Sequence, residues 1–232
     1  MFKSVLLDLL REAHTAERAF VQGLSAGDRN AIGSPDRWSA KDHIAHVAFW
    51  RHQLALKLQA VLDHETPELG DFERINPRVF EEHRHRAWSD VASDAELAYA
   101  AQTARIRRLT DEDLVAFNRF SWVPEGQPLH AVVMGSSYEH SQQHLAQFHL
   151  DRGDLLLASG IQELWVARVV QAETPPAMKG LALYNLACFQ ATHTQVVKAA
   201  LTLERALALY PGPLLKDFSV SDPDLIALRG SS

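Results

Sequence analysis

The sequence predicts an all-α protein, a four-helix bundle followed by a shorter helical segment, and three observations predict it. Apolar residues recur at helical spacing through four long stretches between Phe2 and Leu150. Clusters of Gly, Pro, Ser and Asp separate those stretches, the punctuation that stops and restarts helices. No run alternates apolar and polar residues for long enough to make a strand.

The first helix is expected from Phe2 to Leu24. Leu6, Leu9, Leu10, Ala13, Phe20 and Leu24 form its apolar stripe, with Glu12, Glu17 and Arg18 outside it. Gly23, Ser25 and Gly27 end it, and Gly33-Ser-Pro35 makes a turn before the next element. Ser39 followed by Asp42 is a capping-box-like start, since the hydroxyl accepts from a first-turn amide and the carboxylate favours the positive helix end. Ile44, Val47, Ala48, Leu54, Leu58, Val61 and Leu62 carry that second helix to Asp63. Phe72 to Arg86 predicts a short or broken helix around Val79 and Phe80. The third long helix starts at Ser89 or Ser93 and runs through Leu109. Thr110 to Gln127 is a connection. Pro128 takes a first-turn position ahead of a fourth helix over Leu129 to Leu150, which Asp151-Arg152-Gly153 stops. Beyond it, Leu155 to Gln171 and Leu181 to Leu209 are rich in Ala and Leu and are separated by Thr174-Pro175-Pro176. The domains are therefore drawn as residues 1–153 and 154–232.

Composition narrows the function classes. The chain has 232 residues, enough for a substantial core, and a formal charge of −6 with its basic residues scattered. A nucleic-acid surface needs clustered Lys and Arg, so no nucleic-acid partner is expected. The lone Cys188 permits no internal disulfide and is read as a core residue. Asp8 interrupts the apolar N-terminal stretch, and nothing approaches the roughly 20 apolar residues of a membrane span. A cytoplasmic protein with no membrane partner is expected.

Twelve histidines invite the question of which converge. His140 and His144 in Tyr138-Glu-His-Ser-Gln-Gln-His144 are four apart, which places both imidazoles on one helix face within chelating distance. Ser141 stands where a helical zincin needs its general-base Glu, so a peptidase reading fails on this stretch. The third ligand must come from a facing helix. His46 is the best candidate, and His43, nearer the solvated helix end, is its competitor. His14, His52, His64, His83, His85, His130, His149 and His193 are read as solvated or structural. Trp38 is read as a packing residue at the helix entrance and Tyr138 as a buried hydroxyl satisfied by protein. A site of neutral imidazoles is expected to lose affinity between roughly pH 6 and 5, because free histidine titrates near 6.5.

Trp38-Ser-Ala-Lys-Asp42-His-Ile-Ala-His46 together with Tyr138-Glu-His140-Ser-Gln-Gln-His144-Leu-Ala-Gln resembles the DinB-like superfamily. These are four-helix bundles related to bacillithiol and mycothiol transferases, mycothiol-dependent maleylpyruvate isomerases and ClbS/DfsB-like proteins. The resemblance spans about Val5 to Leu150, and Arg74-Ile-Asn76-Pro-Arg78-Val-Phe80 is closest to the ClbS/DfsB-like branch. It implies one divalent ion (Ni, Zn or Fe) on His46, His140 and His144, a small-molecule substrate and a homodimer. The implied chemistry is transfer of a low-molecular-weight thiol to an electrophile, or hydrolysis. The alternative is a non-catalytic bundle that binds a small molecule or a metal.

Leu183, Leu186, Ala187, Ala199, Leu203, Ala206 and Pro211 fall at tetratricopeptide spacing, and Leu183-Tyr-Asn-Leu-Ala-Cys188-Phe is similar to a terminal repeat of that family. Asp222 to Arg229 resembles the capping helix that follows such repeats. Thr192-His-Thr replaces the usual glycine-containing turn. One clear repeat cannot bury its own apolar face, so the segment is expected to pack on the bundle, on another subunit or on a protein partner.

Overall fold

The structure, a computed structural model, describes residues 1–68, 70–210 and 212–229, and of Phe72 the backbone alone. Pro211, part of the expected repeat pattern, lies outside the described residues. Among the described residues the protein is all-α, and the β pairing is confined to two isolated bridges, Ser34 with Arg37 and Phe117 with Pro128. The chain divides into two compact units, Met1–Ala158 and Ser159–Ser232, and the division falls five residues beyond Gly153. No described helix is long and apolar enough to cross a membrane.

In the first unit, α1 (Phe2–Gly23) buries Leu6, Leu9, Leu10 and Ala13 on the expected stripe. It also buries Glu17, which the stripe had left outside. A short α2 (Ala26–Asn30) follows, in a stretch read as a loop, held by a capping box between Ser25 and Asp28. Next comes α3 (Ala40–Leu62), whose cap is the one read from sequence. Asp42 Oδ2 accepts from the Ser39 amide at 2.8 Å, and Ser39 Oγ accepts from the Asp42 amide at 3.3 Å. Gly33 makes room for this cap: a Cβ there would fall on the Asp42 carboxylate and 2.6 Å from the Ser39 nitrogen.

α4 (Phe72–His83) runs through Pro77, at the loss of one backbone donor. α5 (Trp88–Arg108) starts from Ala87 rather than from a serine cap. A second missed helix, α6 (Asp111–Val115), has a capping box between Thr110 and Asp113. The fourth long segment is not one regular helix. α7 (Leu129–Val133), with Pro128 as its cap residue, leads into a π-helical turn over Met134–Glu139 and then α8 (His140–Leu150). α3 packs on α5 and α8, and α1 packs on the same two helices. Every residue of α3 from Ala40 to Ala48 is buried, so its polar side chains there must find partners inside the protein.

Three residues beyond that stretch, α3 contributes to a buried ion pair. Arg51 is 1% exposed and grips Glu17 with two parallel contacts, Nη1 to Oε1 at 2.9 Å and Nη2 to Oε2 at 2.8 Å. His14 stacks on Tyr99 beside it, with centroids 3.8 Å apart. Arg51→Ala strands the Glu17 carboxylate and is expected to cost about 3–5 kcal/mol, whereas Arg51→Met with Glu17→Met is expected to be near neutral. Urea unfolding measures both. A loss below about 1 kcal/mol in the single variant would mean that the pair does not hold α1 to α3.

In the second unit, α9 (Leu155–Gln171) enters from the first, and α10 (Pro176–Thr192) packs along α11 (Val196–Leu209). Gly180 sets their closeness, because a Cβ there would lie 2.7 Å from Tyr210 Cβ. Thr194 turns the chain between the two helices with φ of 62°, the left-handed conformation that a glycine adopts without strain. α12 (Leu214–Ser221), which the sequence reading did not separate, leads to a 3₁₀ turn over Pro223–Leu225 and α13 (Ile226–Arg229). Cys188 is half-buried rather than a core residue. It lies 3.7 Å from Asp222 Oδ2, which also accepts from Tyr184 Oη at 2.6 Å. Burial, with the charges of Asp222 and Asp224, pushes the thiol up to about 12, so it stays a protonated donor.

Candidate metal centre

His46 stands two turns into α3, and His140 and His144 stand one turn apart on the α8 face packed against it. His46 Nε2 is 3.2 Å from His140 Nε2, which is 3.0 Å from His144 Nε2. The three rings each offer one nitrogen within 4.8 Å of the others. Imidazole ligands about 2.0–2.1 Å from one ion sit about 3.0–3.4 Å from each other, so the spacing suits a single cation.

Valence makes the same point. A neutral imidazole nitrogen has either one hydrogen or one lone pair in the ring plane, and so serves one partner. His140 Nε2 has two nitrogen neighbours at contact distance, so without an ion the two contacts must share one hydrogen or one lone pair. A cation facing three lone pairs satisfies all three. The donor set also fits Zn, Ni or Fe in kind. The triple-histidine group could therefore hold a metal ion.

The protons agree with that. Burial is the main cause at each ring, because it penalises the charged form. It holds His46 down to about 3, assisted by His140 and His43, and His140 down to about 4, assisted by the Arg51 charge. His144 is held well below its ordinary value by burial and then by its three histidine neighbours. These imidazoles are neutral, as ligands must be. Inside the fold these rings do not gain protons between pH 6 and 5, so a loss of affinity in that range comes through acid unfolding of the metal-free chain.

Aromatic side chains wall the centre. Trp38 stacks on His144 with ring planes 9° apart and meets His46 edge-on at 5.0 Å. Phe80 of α4 stacks on Trp38 at 5.7 Å. A pocket of about 240 Å³ adjoins one edge of the cluster, lined by Trp38, His43 and His144 together with Asp36 and Asp151, while His46 and His140 do not line it.

The three histidines proposed from sequence are thus brought together. His43, the competitor, is 2% exposed and does not join them. It touches the far side of His144, Nδ1 to Nδ1, at 2.9 Å. Its neighbours on α3 are buried too, a fact invisible from its place near the helix start. Trp38 proves to be a packing residue whose packing is on the site. The π turn changes the register between His130 and His140, and His130 packs on Phe2 with ring centroids 4.8 Å apart. His149 meets Phe20 edge-on, while His52 bonds Asp94 at 3.0 Å. Ser141 is buried and donates to the Tyr138 carbonyl at 2.9 Å, so its hydroxyl serves the helix. Comparison with protein-family models, with curated proteins and with solved structures gives no match.

Proposed function

We propose that the first unit is a DinB-like four-helix bundle that holds one divalent metal on His46, His140 and His144 and transfers a low-molecular-weight thiol to an electrophile, or hydrolyses a small molecule. The observation that carries this reading is the approach of His46 Nε2 and His144 Nε2 to within 3.2 and 3.0 Å of His140 Nε2, with one nitrogen of each ring within 4.8 Å of the others. A divalent ion held there acts as a Lewis acid that makes a bound thiol or water more acidic. Three protein ligands leave positions open, the pattern of catalytic rather than structural sites. Trp38 and Phe80 stack against one side of the cluster, and a pocket lined by Trp38, His43 and His144 lies beside it, where a small substrate could enter. Pairing of two copies through helix faces belongs to the same reading.

The test is metal analysis of the purified chain followed by turnover assays with thiols and model electrophiles. About one ion per chain and metal-dependent turnover are expected. Metal uptake without turnover on any thiol or ester would leave a binding protein. A second reading has its own support: the second unit exposes Leu164, Val197, Leu201, Phe218 and Val220, as a tetratricopeptide-like segment that docks a protein would. Val197→Glu with Leu201→Glu should then abolish that association and leave metal content unchanged.

A further inference from the structure

The metal reading fixes where each ligand keeps its proton, and the consequence reaches one residue further. A ring that offers its Nε2 lone pair must carry hydrogen on Nδ1. Among the three candidate ligands, His144 is the one whose outer nitrogen meets another side chain: His43 Nδ1 lies 2.9 Å away, while His46 Nδ1 is buried without a hydrogen-bond partner and His140 has at most the Ser136 backbone carbonyl beside it. The contact has two possible senses. If His43 donates, the His144 proton sits on Nε2 and points at His140, which blocks the centre. If His43 accepts, His144 Nε2 is free.

We propose that His43 is a positioning residue of the centre: its Nδ1 accepts the Nδ1–H of His144 and holds His144 in the ligating tautomer. This rests on the metal reading above. The rest of the geometry supports it. His43 is 2% exposed and packed between Trp38, at 5.4 Å, and Phe148, at 6.3 Å, so its ring is kept in place. Its Nε2 is buried without a partner and is where its own proton resides when Nδ1 accepts. The two rings each keep one proton throughout, so neither contact direction changes the charge. Loading the centre selects one of two arrangements of the pair.

Zn²⁺ titration of the full chain, by competition with a chromophoric chelator, tests this with two variants. His43→Phe keeps an aromatic ring and removes the acceptor, and its Zn²⁺ affinity should fall about 10–100-fold. His43→Asn places an amide oxygen near the lost Nδ1 and should restore affinity. Nitrogen-15 spectra of the zinc-loaded wild-type rings should show His43 protonated on Nε2 and His144 on Nδ1, a readout that no variant needs to fold to give. Undiminished affinity in His43→Phe, or a proton on His43 Nδ1 in the loaded protein, would overturn the proposal. So would a loss as complete as that of His144→Ala, which would make His43 a ligand. A wild-type chain that takes up no Zn²⁺ would instead sink the metal reading itself, and the proposal with it.

Discussion

His144→Ala protein is expected to retain no divalent metal through dialysis under conditions where the wild-type chain keeps about one ion. His144 is one of the three ligands, its Nε2 3.0 Å from His140 Nε2 and its Nδ1 2.9 Å from His43 Nδ1. Structural zinc sites with four ligands bind with about 10–16 kcal/mol, so a ligand is worth roughly 3 kcal/mol, or at least about 100-fold in affinity. His46→Ala and His140→Ala should behave alike, since each leaves two nitrogens and an incomplete face. His149→Ala is the control. It shares α8 with two of the ligands, yet its ring meets Phe20 edge-on at 6.0 Å and takes no part in the cluster. Elemental analysis after dialysis separates the cases. Equal loss in His149→Ala and His144→Ala would mean that the ligand assignment is wrong.

The helical class and the ligand candidates were legible because they depend on local spacing. A four-residue interval puts His140 and His144 on one face in any helix, and Ser39 with Asp42 caps α3 by chemistry contained in four residues. The short helices α2 and α6 were missed although each carries the same kind of cap, Ser25 with Asp28 and Thr110 with Asp113. Five residues offer no apolar period to read. The burial of Glu17, Arg51 and His43 was illegible for a different reason. Hydrophobic periodicity assigns polar residues to the solvent, and here polar side chains face inward because others face them. Glu17 is tolerable inside only because Arg51 lies 34 positions away along the chain. His43 is tolerable because His144 lies 101 positions away. The π turn at Met134–Glu139 has no periodic signature either, and it sets the face on which His140 emerges.

The same inward histidines give the metal-free protein a steep acid limit. Burial holds His43 and His46 down to about 3 and His130 and His140 down to about 4, and it lowers His144 in the same direction. In the unfolded chain each titrates near 6.5. Below that pH the unfolded state binds protons that the folded state refuses, so stability is lost as pH falls from about 6.5 and the loss levels off only near the folded values. At pH 5 the unfolded state gains roughly 2 kcal/mol for each of the four histidines held down to about 3 or 4, and together these rival the about 5–15 kcal/mol that holds a typical domain. Chelated protein should therefore unfold cooperatively between about pH 6 and 4. Metal-loaded protein should resist to lower pH, because a ligand that binds the folded form alone adds its binding free energy to stability. Urea unfolding at each half unit from pH 7.5 to 4.5, with and without chelator, measures both slopes. A metal-free midpoint that stayed constant from pH 7 to 5 would mean that these rings are charged or solvated in the folded protein, and the neutral three-nitrogen centre would fall with it.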